Sequence, residues 1–208
     1  MAYRILTPEE AASYINHDDN VGFGGFTAAG TPKATTIALA KRAKAEHDAG
    51  RPFKIGLYTG ASTNDYIDGE LSRVNAIKTR TPYQSHVDSR NLINSGEMPY
   101  YDLHLSHLSQ YLRYGYMGKM HVGIIEAADV SENGEILLGA GVGMAPTVCE
   151  LAEKLIIEVN HHETDKMRGM HDIYTPLDPP YRREIPIYKP SDRIGSPVIK
   201  VDPKKIIG

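Results

Sequence analysis

Nine residues, Gly24-Gly25-Phe26-Thr27-Ala28-Ala29-Gly30-Thr31-Pro32, constrain this chain more than any other stretch. An apolar run, Val21-Gly22-Phe23, precedes them, and a helix-like segment from Lys33 to Ala49 follows. Strand, glycine turn and helix is the predicted local order. Paired glycines permit positive φ and close approach of the backbone to a ligand. Thr31 suits an N-cap and Pro32 the first helical position, where its missing N–H costs nothing. Such a helix start predicts free N–H groups facing an anionic or carbonyl-oxygen ligand. A tight turn of any α/β domain would also account for the glycines, whose spacing is not the dinucleotide G-x-G-x-x-G.

The surrounding pattern has the same character. Thr7-Pro8-Glu9-Glu10 predicts a short helix to about Asn16. Strands are predicted at 20–23, 53–58, 74–78, 121–127 and 155–159. The Pro32 helix should end at Gly50, with Lys41, Arg42, Lys44 and His47 towards its C-terminus. Shorter helices are predicted at 65–71, 88–95, 103–111 and 145–153, and a polar loop at Thr59–Asn64. Asn133-Gly134 between two apolar pairs is a hairpin signal. Strands alternating with capped helices argue for an α/β fold with a largely parallel sheet flanked by helices. The Gly24 and Ser62 loops should lie at one edge of that sheet. Beyond Asn160 the prolines crowd together, and 161–208 reads as a loop-rich arm.

Composition narrows the partners. A chain of 208 residues suffices for one good core. A net charge of −3 offers no attraction to nucleic acid or an acidic membrane. No run has the apolar length of a transmembrane helix, and the N-terminus lacks a signal-peptide core. One cysteine, Cys149, excludes an internal disulfide framework and fits the cytoplasm; its helical surroundings make it a small core residue.

Loops at the carboxyl ends of parallel strands are where such sheets bind ligands. Ser62, Thr63 and Asn64 offer small hydrogen-bonding groups, although Ser62 could equally be a helix N-cap. Gly139-Ala-Gly-Val-Gly143-Met-Ala-Pro146 precedes a helix and is either a cradle for a ligand's phosphate or a flexible hairpin exit. Arg80 and Arg90 are candidate partners for a carboxylate. Glu132, in Ser131-Glu132-Asn133-Gly134, reads from the residues as a solvated turn residue, and Glu126, at the end of a predicted strand, as suited to capping or orienting a loop. His104 and His107 could share a helix face, but no zinc spacing accompanies them, and no metal is expected. Tyrosines 111, 114 and 116, near Arg113, read as core and interface residues, and G-x-S-x-G is absent.

Read as a whole string, G-G-F-x-x-x-G-x-P after a short apolar strand resembles the glycine signature of family I CoA-transferases. Gly24, Gly25, Phe26, Gly30 and Pro32 occupy its positions. The flanking residues are similar to the acetyl-CoA hydrolase/transferase branch, especially its succinyl-CoA:acetate CoA-transferases. Thr59–Thr63, Leu151–Asn160 and His171-Asp172-Ile173 extend the likeness along nearly the whole chain.

The resemblance implies a CoA-transferase-like α/β domain over 1–160. The arm, 161–208, would lead to a second α/β half outside this chain. It implies movement of CoA between succinyl-CoA or acetyl-CoA and a small carboxylate such as acetate, through a glutamyl-CoA thioester. The implied substrate-binding set is Gly24, Gly25, Phe26, Thr27, Gly30, Pro32, Ser62, Thr63 and Arg80. Ser131-Glu132-Asn133-Gly134 resembles the motif holding the catalytic glutamate in the smaller subunits of two-subunit relatives. The G-G-F signature, however, belongs to the other half of those enzymes, so the nucleophile is expected outside this chain. Expected partners are an acyl-CoA, a small carboxylate, the missing C-terminal half and further copies of the same protein. Coenzyme A is expected as substrate, with no resident cofactor. The alternatives are an acetyl-CoA hydrolase and a non-catalytic domain that binds acyl-CoA or a sugar phosphate.

Overall fold

The computed structural model describes residues 3–208. Five strands form one sheet: β1 (Asn20–Phe23), β2 (Ile55–Ser62), β3 (Ile77–Gln84), β4 (Val122–Ala127) and β7 (Lys154–Val159). Their order is β3-β2-β1-β4-β7, and every pairing is parallel. A small antiparallel sheet joins β5 (Asp129–Val130), β6 (Glu135–Leu137) and β8 (Ile199–Lys200). The helices are α1 (Pro8–Ser13), α2 (Ala34–Asp48), α3 (Glu70–Arg73), α4 (Val87–Asn94), α5 (Leu105–Arg113) and α6 (Ala145–Leu151).

Strand alternation divides the core into two layers. Phe23, Leu57, Ile124 and Ile156 pack with Ala11, Ile15, Leu39 and Ala43 of α1 and α2. Ile125, Leu155 and Ile157 pack with Leu108 and Leu112 of α5, Val148 and Cys149 of α6, and Ile136 of the hairpin. Cys149 is 1% exposed, and burial pushes its thiol up to about 12, so it is the inert core residue expected. The α1 start forms a capping box: the Thr7 hydroxyl accepts from the Glu10 N–H, and the Glu10 carboxylate from the Thr7 N–H. Arg42 of α2 donates to the carbonyls of Ala12 and Ile15, satisfying the open end of α1.

Two strands run longer than their sequence suggests. β2 continues through Ser62, so Thr59–Ser62 is strand and not loop. The third strand begins at Ile77 and carries Arg80 to Gln84, where the sequence suggested an earlier strand and a loop. The register of β2 on β3 shifts between Tyr58 and Ala61, opposite Pro82, which has no N–H to pair. Polar and small residues hide both stretches: β2 is buried throughout and need not alternate, and β3 is an edge strand with exposed positions at Lys78 and Tyr83.

The arm is irregular through 161–197, apart from a short 3-10 turn at Asp165–Met167 and an antiparallel bridge between Ile173 and Ser196, and then returns. β8 pairs with β6, Ile206 is buried, and Ile207 and Gly208 bond backbone to backbone with β7. Among the described residues no helix is long and apolar enough to cross a membrane.

The start of α2 departs from expectation. Its N-cap is Lys33, with no side-chain cap, and Thr31 turns elsewhere. The first amides are taken by Glu158 of β7: Lys33 at 2.6 Å, Ala34 at 3.0 Å and Thr35 at 3.0 Å. That helix end is therefore closed to an outside anion. A carboxylate serving three orphan amides at the positive end of a fifteen-residue helix is a strong cap. Glu158→Ala should lower unfolding free energy by about 1–2 kcal/mol in urea titrations, with Glu158→Gln losing less. Equal stability of all three proteins would refute this role.

Candidate functional site

In a sheet of this order the strand order switches between β1 and β4, and folds of this kind bind ligands outside the carboxyl ends of such strands. The glycine turn begins there. The Gly24 N–H extends the pairing by donating to the Ile124 carbonyl at 3.0 Å. Phe26 and Ala29 exchange backbone hydrogen bonds across a tight turn, with Thr27 at φ +54°. The Thr27 N–H then donates to the Ala61 carbonyl of β2 at 2.9 Å. The turn thus folds from β1 over the end of β2, and the Gly24 and Ser62 segments share one edge, as expected.

A second loop locks the turn in place. Gly25 and Gly143 form a parallel bridge. A Cβ on Gly143 would overlap the Gly25 carbonyl oxygen, one on Gly141 the Ala29 carbonyl oxygen, and one on Gly30 would lie 2.8 Å from the Gly141 oxygen. The Gly139–Pro146 string therefore receives the first glycine turn backbone to backbone. It is neither a free cradle nor a flexible exit.

Asn64 stitches the edge together. Its amide donates to the Thr27 carbonyl (2.8 Å) and the Thr31 hydroxyl (3.2 Å), and its oxygen accepts from the Ile67 N–H. Asn64, not Ser62, is thus the N-cap of the π turn Asp65–Gly69. Ser62 is 2% exposed, and its hydroxyl has no partner. Its register partner on β3 is Gln84, whose side-chain oxygen is also buried and unpartnered. Buried polar atoms are almost always paired, so two orphans on neighbouring strand ends mark a place where a ligand group or water belongs.

The other expected residues divide. Gly24, Gly25, Gly30 and Pro32 are buried within the turn, whereas Phe26 is 47% exposed at its tip. Thr63 is exposed beside Ser62. Arg80 belongs to the interior: both it and Asp68 are 0% exposed, and they pair at 2.8 Å. Its remaining donors go to the Thr81 carbonyl (2.5 Å), the Thr59 hydroxyl (2.8 Å) and the Tyr83 carbonyl (3.0 Å). No face of this guanidinium is left for a carboxylate, so Arg80 supports the β2 and β3 ends from within. A buried arginine is costly unless saturated in this way. Arg90 is exposed on α4.

Glu132 is exposed at the β5–β6 turn, where its carbonyl accepts from the Tyr3 hydroxyl. It lines a cavity of about 540 Å³ along the outer side of β7, with Leu6, Ile157 and Val159, and none of Gly24–Pro32 or Ser62 lines that cavity. Glu126 is only 4% exposed and pairs with the Lys33 ammonium at 2.6 Å. Sequence reasoning overlooked Lys33, Gln84 and Glu158; Asn64 alone had a usable signal, as a polar residue ahead of Asp-Tyr-Ile. His104 and His107 stack edge to face at 5.3 Å, and among the described residues no three metal-ligating side chains group together.

The geometry defines an open α/β sheet with two interlocked glycine loops at its switch point. The chain belongs to the acetyl-CoA hydrolase/transferase family: residues 2–208 match the model of that family's N-terminal domain. It is 42% identical over 202 residues to the propanoyl-CoA:succinate CoA transferase of Escherichia coli, covering 97% of this chain and 41% of the relative. Identity to the succinyl-CoA:acetate CoA-transferase of Clostridium kluyveri is 39% over 203 residues, covering 98% and 37%. The chain thus spans about two-fifths of these relatives' length. The crystal structure of RipA from Yersinia pestis shares the fold, with a TM-score of 0.60, 24% identity and coverage of 76% and 37%.

The interlock is testable against a neutral glycine. Gly143 and Gly50 both have positive φ, +49° and +72°, but a Cβ on Gly50 would meet nothing within 4 Å. Gly143→Ala should therefore cost about 1–3 kcal/mol more than Gly50→Ala in denaturant unfolding. Equal costs would mean that the loops are not held in contact.

Proposed function

We propose that this chain is the half of a CoA-transferase that holds the acyl or carboxylate end of the substrates. In this reading CoA passes between an acyl-CoA, succinyl-CoA or acetyl-CoA, and a small carboxylate such as acetate. A glutamate outside this chain attacks the thioester carbonyl and expels CoA thiolate, leaving a mixed anhydride. The thiolate then attacks the glutamyl carbonyl, releasing the first carboxylate and forming a glutamyl-CoA thioester. The incoming carboxylate reverses both steps.

The observation that carries this reading is the unpartnered Ser62 hydroxyl, 2% exposed, beside a glycine turn in a chain of this family. A buried hydroxyl without a partner is poised to donate to a substrate oxygen as charge develops on it. Phe26 and Tyr66 follow the ends of β1 and β2, and Tyr83 is the penultimate residue of β3; each is 46–49% exposed. Their apolar faces suit burial under a second half that closes over this edge and excludes water. Hydrolysis is the competing reading, because the family's description names both activities. The two differ in whether water or a carboxylate accepts the acyl group. Cytoplasmic location, and assembly with the C-terminal half and further copies, belong to this proposal.

Two experiments test it. Residues 1–208 alone should show no succinyl-CoA:acetate exchange above background, and Glu132→Ala in the whole enzyme should leave exchange near normal. Exchange by the isolated chain that vanishes with Glu132→Ala would overturn the reading and make Glu132 the nucleophile. Ser62→Ala and Gly25→Val in the whole enzyme should each reduce kcat/KM, the former by about 10-fold or more. Ser62→Ala should not lower Tm, since it removes a hydroxyl that makes no bond within this chain. Unchanged turnover would remove Ser62 from the site.

A further inference from the structure

A polar pocket borders the Gly143 loop. It has a volume of about 380 Å³, between α5, the start of α6 and the arm residues 174–185. Three arginines line it, Arg113, Arg182 and Arg183, against a single carboxylate, Asp178. Ser109, Thr147 and Thr175 add hydroxyls.

The decisive group is Arg113. Its side chain is 11% exposed, and its Nε is buried without a partner. One terminal nitrogen donates to Glu150 at 2.8 Å, outside the pocket lining. The other reaches Asp178 and the Pro176 carbonyl only at 3.5 Å. Arg182 lies 3.9 Å from the same Asp178. Charge-assisted N–H···O bonds close to about 2.7–2.9 Å. One aspartate is therefore spread over two guanidinium groups and saturates neither. Arg183 is exposed and has no ion pair among the described residues. Even with Glu150 counted, positive charge is in excess. Arg80, in the same molecule, shows what a satisfied buried guanidinium looks like, with four groups engaged.

We propose that this pocket binds a small dianionic oxyanion, a phosphate or a dicarboxylate, between Arg113 and Arg183. Arg113, whose one terminal nitrogen reaches its present acceptors only at 3.5 Å, would turn that nitrogen to an oxygen of the anion, Arg183 would close over it, and the hydroxyls would complete its shell. Bound there, the anion would tie the arm to α5 and α6 behind the Gly25–Gly143 contact. The site is separate from the Ser62 edge and does not rest on the CoA-transfer reading.

The test is titration of the 208-residue chain with inorganic phosphate and, separately, with succinate, by calorimetry at constant ionic strength set with sodium chloride. One-to-one saturable binding of either anion is expected. Phosphate alone would mark a phosphoryl site, succinate alone a dicarboxylate site, and both a general dianion site. Arg183→Ala should weaken binding by about tenfold or more with Tm unchanged, since that side chain is exposed and unpaired. Arg113→Lys, which keeps the charge and removes the fork, should weaken it comparably. No saturable heat with either anion, or binding equal to the parent chain in Arg183→Ala, would overturn the proposal.

Discussion

Backbone contact between two glycine loops is the constraint on which this structure depends. Gly25, Gly30, Gly141 and Gly143 meet with no space for side chains between them. Because backbone touches backbone, the end of β1 and the approach to α6 are held more closely than packed side chains would allow. The Thr27 carbonyl and the Asn64 amide then carry this order across to the end of β2. The sheet supplies the switch point, and the interlocked loops hold its edge in one arrangement.

The same edge manages its charges internally. Glu126 and Glu158 are register neighbours on β4 and β7, so two carboxylates stand side by side. Like charges so placed repel unless each has a partner. Lys33 takes Glu126, and the amides that open α2 take Glu158. The helix N-terminus, the usual anion seat of an α/β fold, is consequently spent on a protein carboxylate. What remains for a ligand at the Gly24 edge is neutral: the Ser62 hydroxyl and the Gln84 amide, with exposed aromatic faces near the strand ends. Neutral donors can stabilise charge that develops during reaction without binding a resting anion tightly, which favours the transition state over the ground state.

Two arginines show how burial separates scaffold from site. Arg80 is wholly enclosed with Asp68 and three further acceptors, so it sets the shape of the β2 and β3 ends without facing a ligand. Arg113 is nearly as deep but leaves Nε unused. Residue type and local sequence are the same kind of signal in both cases. The count of satisfied donors distinguishes them, and that count exists only in three dimensions.

The sequence by itself determined the α/β class, the positions of β1, β4 and β7, the capped start of α1, the Asn133-Gly134 hairpin and the glycine turn. Each of these follows from periodicity, caps or turn chemistry within a few residues. Tertiary structure alone decided that β2 and β3 run on through polar residues: burial at every position removes the alternation that reveals β2, and β3 is held at the sheet edge by its pairing with β2. It also decided that Glu158 caps α2, that Gly143 seats Gly25 and that Arg80 turns inward. Those pairings join residues separated by some 12 to 125 positions. No local pattern records them, because each depends on which strands become neighbours and on where that leaves a charge without water.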